Sequence, residues 1–343
     1  MSRMNRTGKL VLGVVTSLVL AALLSDFLSS NPPEAQNLRM FYAPPTRIHF
    51  IDTGGHLHLR PFVHGYTLTD PLNTTYRERA DQSYPVMFFA GGYQYRIFGI
   101  IPSSLHLVTV PGAPFYPLGA DELGRDVLAR TLAGARTSLT IVLAGISIYA
   151  ILGLGAGAFA GFAGGWIDAT LMRVSEFVLA LPALYLILAL RAILPVRMSF
   201  WQTVLMVSGT IAAVAWPPLA RAVRGQILQF SSAGFVEAAV SFGSTRWQVF
   251  SKHMLPALPA LVITQAVLAA PVFLLGEVIL SFLDVGFQDS AESWGTMLRG
   301  LRDPRVMTDF WWNLAPMGLV FLTMLSMNLL AGSLGKKEIA RPY

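Results

Sequence analysis

Six long apolar segments, separated by more polar stretches, dominate the pattern of the chain. Each holds about 20 residues, the length that an α-helix rising about 1.5 Å per residue needs to cross about 30 Å of hydrocarbon. The pattern therefore predicts an all-α polytopic membrane protein with six transmembrane helices. The predicted spans are residues 10–28, 139–162, 171–194, 201–220, 258–283 and 312–334.

The basic residues predict how these helices are oriented. Lys and Arg are enriched in cytoplasmic loops near helix ends. A cytoplasmic N-terminus puts every lysine on that side, places the acidic loop after the fifth span outside, and leaves both termini cytoplasmic. The first span is expected to remain as an anchor, because no convincing signal-peptide cleavage site follows it. The lysines are Lys9, Lys252, Lys336 and Lys337.

The composition agrees with a membrane location. Of the 343 residues, 54% are hydrophobic and 13% are charged, and the mean hydropathy is +0.55. Soluble domains carry about 25% charged residues. The net charge of +6 follows from basic cytoplasmic loops, so nucleic acid is not expected as a partner. The absence of cysteine excludes disulfides, thiolate metal sites and cysteine catalysis.

Alternating apolar and polar residues between the first two spans predict β-structure. Residues 47–63 and residues 84–99 each alternate on both sides of a glycine pair, which is typical of β-hairpins. We therefore expect residues 29–117 to form a small β-rich extracytoplasmic insertion. The turns are expected at Thr53-Gly54-Gly55 and at Gly91-Gly92.

Four histidines lie in or beside the first predicted hairpin. The hairpin contains one carboxylate, Asp52, and the histidine spacing matches no metal-ligand motif. This favours solvated strand histidines, while a metal site stays open as the alternative, since side chains two residues apart share a strand face. The four are His49, His56, His58 and His64.

Glycines at a spacing of four mark one face of the second span and its end. Residues four apart stack on a helix surface, and small residues there let another helix approach closely in lipid. We expect this face to pack on a neighbouring helix of this chain or of a partner. The glycines are Gly153, Gly157, Gly161 and Gly165. Pro182 and Pro271 predict kinks in their helices.

The sequence carries no motif that predicts an enzyme. It has no Gly-x-x-x-x-Gly-Lys-Ser/Thr loop for a nucleotide, no His-Glu-x-x-His and no Gly-x-Ser-x-Gly. No catalytic, cofactor-binding or metal-binding residues are therefore assigned, and the chain lacks an energy source of its own. An ion-coupled secondary transporter is the alternative class, but it predicts inverted repeats and ionisable residues at the membrane midplane, and neither is evident.

One polar stretch, residues 235–256 (FVEAAVSFGSTRWQVFSKHMLP), separates the fourth and fifth spans. Its apolar residues recur at helical spacing before and after Gly243, which predicts two short amphipathic helices joined by a glycine turn. From periodicity alone, a helix pair resting on lipid headgroups and one that docks on a partner protein are equally favoured. The apolar positions are Phe235, Ala239 and Phe242, followed by Trp247, Phe250 and Met254.

The same stretch resembles the "EAA" loop of ABC importer membrane subunits, in the form found in dipeptide and oligopeptide permeases. The match consists of Glu-Ala-Ala, three residues, a glycine, nine residues and His-Met-Leu-Pro. In that family the loop docks on an ATPase subunit, so the resemblance implies a cytoplasmic coupling loop at residues 221–257. The implied coupling residues are Glu237, Ala238, Ala239, Gly243, His253, Leu255 and Pro256.

Three further stretches resemble the C-type subunit of peptide permeases: residues 118–139, 161–182 and 276–298. Asp284 departs from the glycine usual in the family at its position. The first of these stretches begins with an acidic motif just before the second span. Its acidic residues either cap a helix or contact substrate, and capping is at least as favoured. This extracytoplasmic motif contains Asp121, Gly124, Arg125 and Asp126.

The resemblance implies a type I ABC importer permease in a bacterial inner membrane. It implies a second homologous permease, two ABC ATPase subunits that use ATP and Mg, and an extracytoplasmic substrate-binding protein that delivers di- or oligopeptides. Nickel or oligosaccharides are alternative cargoes. The implied divisions are residues 1–28 (N-tail and first helix), 29–117 (insertion), 118–334 (core with five helices) and 335–343 (C-tail).

Overall fold

The computed structural model describes residues 6–52, 54–97, 99–193, 195, 198–287 and 291–339. The predicted turn residue Thr53 and the end of the third predicted span, Leu194, lie outside them. The chain divides into two compact units. One is built around Thr140–Leu280, and the other consists of Gly13–Leu139 and Ser281–Thr323.

Helices make up most of the described chain. They are α1 (Arg6–Leu23), α2 (Ser25–Leu28), α3 (Val127–Ala163), α4 (Gly165–Ala180), α5 (Ala183–Ala192), α6 (Phe200–Ala215), α7 (Pro217–Ser231), α8 (Gly234–Ser241), α9 (Arg246–Val249), α10 (Pro259–Phe282), α11 (Trp294–Met297), α12 (Pro304–Asp309) and α13 (Ala315–Ile339). One π-helical turn, Phe250–Met254, follows α9. The 3-10 turns are Leu38–Met40, Leu255–Ala257, Leu298–Arg302 and Trp311–Leu314.

Three to five segments of the described chain qualify as membrane spans by length and composition. Three are single helical stretches, and two are bent helix pairs that each count as one span if the pair crosses together. The segment of the first predicted span holds a shorter apolar helix, Gly8–Leu23. The single stretches are Val127–Ala163, Pro259–Phe282 and Trp311–Gly332.

Prolines explain both bends. The α4–α5 pair bends by 99° and the α6–α7 pair by 53°. Pro182 has no N–H to continue the first helix, and Leu181 before it has extended backbone (φ −84°, ψ 139°), as expected before proline. Pro217 starts α7, where a missing N–H costs nothing. By contrast, α10 runs through Pro271 as one helix.

The second predicted span is part of a much longer helix. α3 has 37 residues and starts at Val127, twelve residues before the predicted start. The Asp126 carboxylate caps this end by accepting from the Leu128 and Ala129 backbone N–H groups at 2.9 and 3.3 Å. The polar residues of the first three turns hid this extension from the apolar pattern.

Three of the four spaced glycines lie against α7. A Cβ on Gly153 would lie 2.6 Å from the Leu219 side chain, and one on Gly157 would lie 2.4 Å from the Ala220 carbonyl oxygen. A Cβ on Gly161 would lie 3.0 Å from Ile227. We call these three glycines the glycine seam. The structure corrects the fourth position: Gly165 starts α4 with φ +55° and has no atom within 4 Å of its Cβ position, because α3 ends before it.

Five strands lie between α2 and α3. β1 (Ile48–Ile51), β2 (Leu57–Asp70) and β3 (Thr75–Pro85) form an antiparallel sheet, and β4 (Met87–Ile97) pairs with β5 (Ile101–Thr109). β1 and β2 pair as the first predicted hairpin requires, from Ile48 opposite Val63 to Ile51 opposite Leu57. Val63, Val86 and Phe115 form a small buried cluster beneath them.

The second predicted hairpin is wrong in its turn. Gly91 and Gly92 lie inside β4, and the chain reverses between Ile97 and Ile101, close to Gly99 with φ +73°. Gly92 instead makes room for a side chain, because its Cβ would lie 2.5 Å from a ring carbon of His106. The glycine pair therefore allows close packing inside the sheet and does not form a turn.

Candidate functional site

The polar segment after α7 folds into two short helices joined at Gly243. α8 ends in a Schellman motif, in which the Gly243 N–H donates to the Val240 carbonyl at 2.9 Å and the Ser244 N–H donates to the Ala239 carbonyl at 3.0 Å. Gly243 has φ +89°, a left-handed conformation that favours glycine. The backbone at this residue sets the direction in which α9 leaves.

A capping box starts α9. The Thr245 hydroxyl accepts from the Gln248 N–H at 3.2 Å, and the Gln248 side chain accepts from the Thr245 N–H at 2.8 Å. The chain then passes through a π-helical turn and a 3-10 turn at Leu255–Ala257 into α10. Both ends of this segment, which we call the α8–α9 segment (residues 234–257), therefore join long helices directly.

The α8–α9 segment is attached on one side and exposed on the other. Val249, Phe250 and Met254 are buried, and the Phe250 ring lies 4.7 Å from the Phe162 ring at the end of α3. Trp247 contacts the same aromatic pair but stays 60% exposed. The exposed apolar side chains also include Phe235, Val240 and Phe242, of which Phe242 is 91% exposed. Large exposed apolar side chains close together are typical of a surface that another protein or the membrane covers.

A cavity of about 650 Å³ lies between the α8–α9 segment and the ends of α3 and α7. Glu237 and Arg246 line it, together with apolar side chains that include Val236 and Phe250. Glu237 sits in the first turn of α8, where the helix dipole favours a negative charge.

Of the predicted coupling residues, Glu237 lines this cavity and the others lie outside its wall. Ala239 is half-buried, and its carbonyl accepts the Ser244 hydrogen bond of the Schellman motif. The His253 ring lies 6.5 Å from the Phe235 ring, which links the π-helical turn to α8. Ala238, His253, Leu255 and Pro256 are exposed.

The predicted acidic motif forms a tight turn in the other unit. The Asp121 carboxylate accepts from the Leu123 and Arg125 backbone N–H groups, both at 2.9 Å, and from the Arg125 Nε at 2.8 Å. Gly124 has φ +69°, and a Cβ there would lie 1.9 Å from the Asn37 carbonyl oxygen. Burial raises the pKa of Asp126 to about 6 despite its capping bonds. The backbone N–H groups bound by Asp121 and Asp126 thus form a turn and a helix cap.

The acidic motif also holds a buried ion-pair network that the sequence did not reveal. Arg130 pairs with Asp121 and with Glu292, its Nε lying 2.8 Å from Glu292 Oε2. Arg125 lies 3.8 Å from the same glutamate. A polar cavity of about 80 Å³ adjoins these groups, with Tyr42 on its wall. Glu292 is 162 residues from Arg130, so no local spacing pointed to the pair.

Asp284 takes the conformation of the glycine that it replaces in the resemblance. Its φ is +63°, in the left-handed region. Its carboxylate pairs with Arg299 at 2.9 Å and with Arg302 at 2.7 Å. Asp visits the left-handed region more readily than most non-glycine residues, and the two ion pairs hold its side chain in place.

The strand histidines pair with carboxylates or backbone. His58 and His56 lie 3.0 and 3.3 Å from Asp52, and the hydrogen bond from His58 is the main reason that the pKa of Asp52 is lowered. His49 lies 3.1 Å from Glu78, and His64 lies 3.0 Å from a backbone carbonyl. Within the described ranges, no group of three or more His, Cys, Asp or Glu side chains is placed to hold a metal ion.

Comparison with known proteins decides the family. The model of the "binding-protein-dependent transport system inner membrane component" family matches residues 153–336, more than half of the chain. The chain belongs to this family. Its members are transporter subunits that lie in the inner membrane, and the α8–α9 segment falls within the matched residues, whereas the five strands lie outside them.

Individual relatives agree with this assignment. The chain is 34% identical over 237 residues to a dipeptide transport system permease protein of Bacillus subtilis, covering 68% of this chain and 72% of that protein. It is 35% identical over 227 residues to an oligopeptide transport system permease protein of Haemophilus influenzae, covering 66% and 70%. A probable D,D-dipeptide transport system permease protein of Escherichia coli is 33% identical over 232 residues, covering 66% and 75%.

Proposed function

We propose that this chain is a permease subunit of an ATP-driven ABC importer and forms half of the translocation path for di- or oligopeptides. The observation that carries the proposal is the exposed α8–α9 segment, fixed by a Schellman turn at Gly243, in a chain of the binding-protein-dependent family. The names of the relatives support peptides as cargo. A substrate-binding protein delivers the peptide from outside.

The proposed topology has six spans with both termini in the cytoplasm. Each bent pair counts as one crossing, and the apolar helix Gly8–Leu23, continued by α2, is the first. The lysine distribution supports this orientation. Residues 29–117 then lie outside as a β-rich insertion, residues 118–334 form the core, and residues 335–343 return to the cytoplasm.

The proposed coupling runs through the α8–α9 segment. Two ATPase subunits bind ATP and Mg and supply the energy, and one of them receives the exposed face with Phe242 and Trp247. Since the segment joins α7 and α10 without a flexible linker, a displacement of the docked helices moves both spans. The glycine seam passes the motion from α7 to α3 through its close packing against Leu219, Ala220 and Ile227. A second homologous permease completes the path, and nucleotide binding shifts a two-state equilibrium between inward and outward access.

The experiment is reconstitution of this chain with the partner permease, both ATPases and the cognate binding protein in proteoliposomes. We expect ATP hydrolysis and uptake to be stimulated by di- or oligopeptides. If only nickel ions or only oligosaccharides stimulate hydrolysis and uptake, that ligand, and not a peptide, is the cargo. Uptake that continues without ATP and stops when an ion gradient is dissipated would favour an ion-coupled transporter and reject the proposal.

A further inference from the structure

A cleft of about 340 Å³ opens between the helix breaks of α4–α5 and α6–α7 and the face of α10. Apolar side chains make most of its wall, among them Ala183 and Ile187 of α5 and Val214 of α6. Two polar side chains join them, Tyr149 of α3 and Gln265 of α10. A largely apolar wall with few polar groups is typical of small-molecule binding sites, which begin at about 300 Å³.

The cleft lies deep along the helices. Tyr149 stands 14 residues before the end of α3 at Ala163, and Val272 stands 13 residues after the start of α10 at Pro259. At about 1.5 Å per residue, both counts put the cleft about 20 Å from the helix ends that meet the α8–α9 segment. In the proposed topology this is inside the hydrocarbon layer of about 30 Å.

The polar side chains on the cleft wall have no hydrogen-bond partner among the described residues. Tyr149 is only 3% exposed, and within the part of the chain that the structure describes neither its hydroxyl nor the Gln265 amide has a hydrogen-bond partner. Pro217 and Pro218 have no N–H, so the carbonyl groups four residues before them lack a helical donor. One of those carbonyls belongs to Val214 on the cleft wall.

These groups select the kind of occupant. A lipid acyl chain fills apolar space but donates no hydrogen bond, and each polar backbone group left unsatisfied in hydrocarbon costs several kcal/mol. A peptide offers an apolar side chain together with backbone N–H donors. Irregular backbone at membrane depth is tolerated where it lines a solvated passage, which agrees with two helix breaks at the cleft.

We propose that this cleft receives a side chain of the transported peptide, while the Tyr149 hydroxyl, the Gln265 amide and the Val214 carbonyl bind its backbone. The inference rests on the proposed function and adds where the peptide is held within the membrane. It predicts that the permease itself, beyond the binding protein, discriminates between side chains by size.

The test measures uptake of two peptides, trialanine and alanyl-phenylalanyl-alanine, by the reconstituted importer. Ala183→Phe fills the cleft from α5, and Ala189→Phe is the matched control, because Ala189 is an exposed alanine on the same helix that does not line the cleft. We expect Ala183→Phe to lower the uptake ratio of the phenylalanine peptide to trialanine about tenfold. The control is expected to leave that ratio unchanged.

A second variant tests the polar groups. Tyr149→Phe removes only a hydroxyl, and we expect uptake of both peptides to fall about fivefold, as for one lost hydrogen bond. The affinity of the binding protein for each peptide is measured separately and stays constant.

Each outcome decides between explanations. If wild-type proteoliposomes take up neither peptide, the proposed function fails. If they take up both and Ala183→Phe leaves the ratio unchanged, the peptide assignment of the cleft is wrong. Loss of co-purification with the second permease in Ala183→Phe would instead make the cleft a subunit interface. A co-purifying lipid that Ala183→Phe removes without changing uptake would make it a lipid site.

Discussion

Replacing Gly243 with valine is expected to disturb the angle between α8 and α9 without filling any space. Gly243 has φ +89°, and no atom lies within 4 Å of its Cβ position. A β-branched residue in the left-handed region costs about 1–2 kcal/mol. The backbone escapes this cost only by giving up the two Schellman hydrogen bonds, each worth about 1 kcal/mol.

Either route destabilises the native turn by about 2 kcal/mol, which is about a 30-fold shift toward other orientations of α9. We expect Gly243→Val to reduce co-purification with the ATPase subunits and peptide-stimulated ATP hydrolysis about tenfold or more. The amount of protein inserted in the membrane should stay the same, because the change lies in an exposed turn. Pull-down and hydrolysis assays on the reconstituted complex measure these quantities.

Gly234→Val is the matched control. Gly234 belongs to the same segment and also has no atom within 4 Å of its Cβ position, but its backbone is helical. The control carries the same added side chain without the backbone strain. Equal losses in both variants, or full coupling in Gly243→Val, would refute the argument that the left-handed turn directs α9.

Three further predictions follow from buried contacts. Gly157→Leu places side-chain atoms against the α7 backbone and should lower the free energy of unfolding by about 1–3 kcal/mol, seen as a lower Tm in detergent. Gly155→Leu places its side chain in open space and should leave the Tm unchanged. Burial raises the folded-state pKa of Asp126 from its ordinary 3.8 to about 6, so the folded state holds the proton more tightly than the unfolded state. The free energy of unfolding should therefore fall as pH rises from about 4 to 6. Asp126→Asn should remove this pH dependence, measured by urea unfolding at each pH. Glu292→Gln should lower the free energy of unfolding by about 3 kcal/mol, because buried Arg130 keeps only Asp121 as a charged partner and loses its hydrogen bonds to the Glu292 carboxylate. Glu176→Gln, at an exposed pair, should lower it by less than about 1 kcal/mol, and equal Tm shifts would contradict this.

Local spacing was enough to predict the features that short stretches determine. The turn between α8 and α9 depends on a glycine and on capping residues within a few positions, and all of these are visible in the sequence. The glycine seam follows from a spacing of four residues. Its last predicted member, Gly165, fell outside because the end of α3 depends on two consecutive glycines with positive φ, Gly164 and Gly165.

Features made by distant residues escaped prediction. The Arg130 to Glu292 pair joins segments far apart in the chain. The apolar pattern placed the second span no earlier than residue 139, because the first three turns of α3 carry polar residues. The Gly91-Gly92 pair is typical of a turn, but Gly92 instead leaves space for the His106 ring on the opposite strand. In each case the physical cause is a contact across the fold, which hydrophobic periodicity does not record.

The glycine seam has a mechanical consequence. Its slots on α3 recur every four residues, and the side chains that fill them, Leu219, Val223 and Ile227, recur every four residues along α7. At about 1.5 Å per residue this period is about 6 Å. A slide by a fraction of it drives a branched side chain onto the helix backbone. A slide by one full period brings two of the three side chains to the next glycine of the seam. The two helices therefore favour discrete relative positions over continuous sliding along each other.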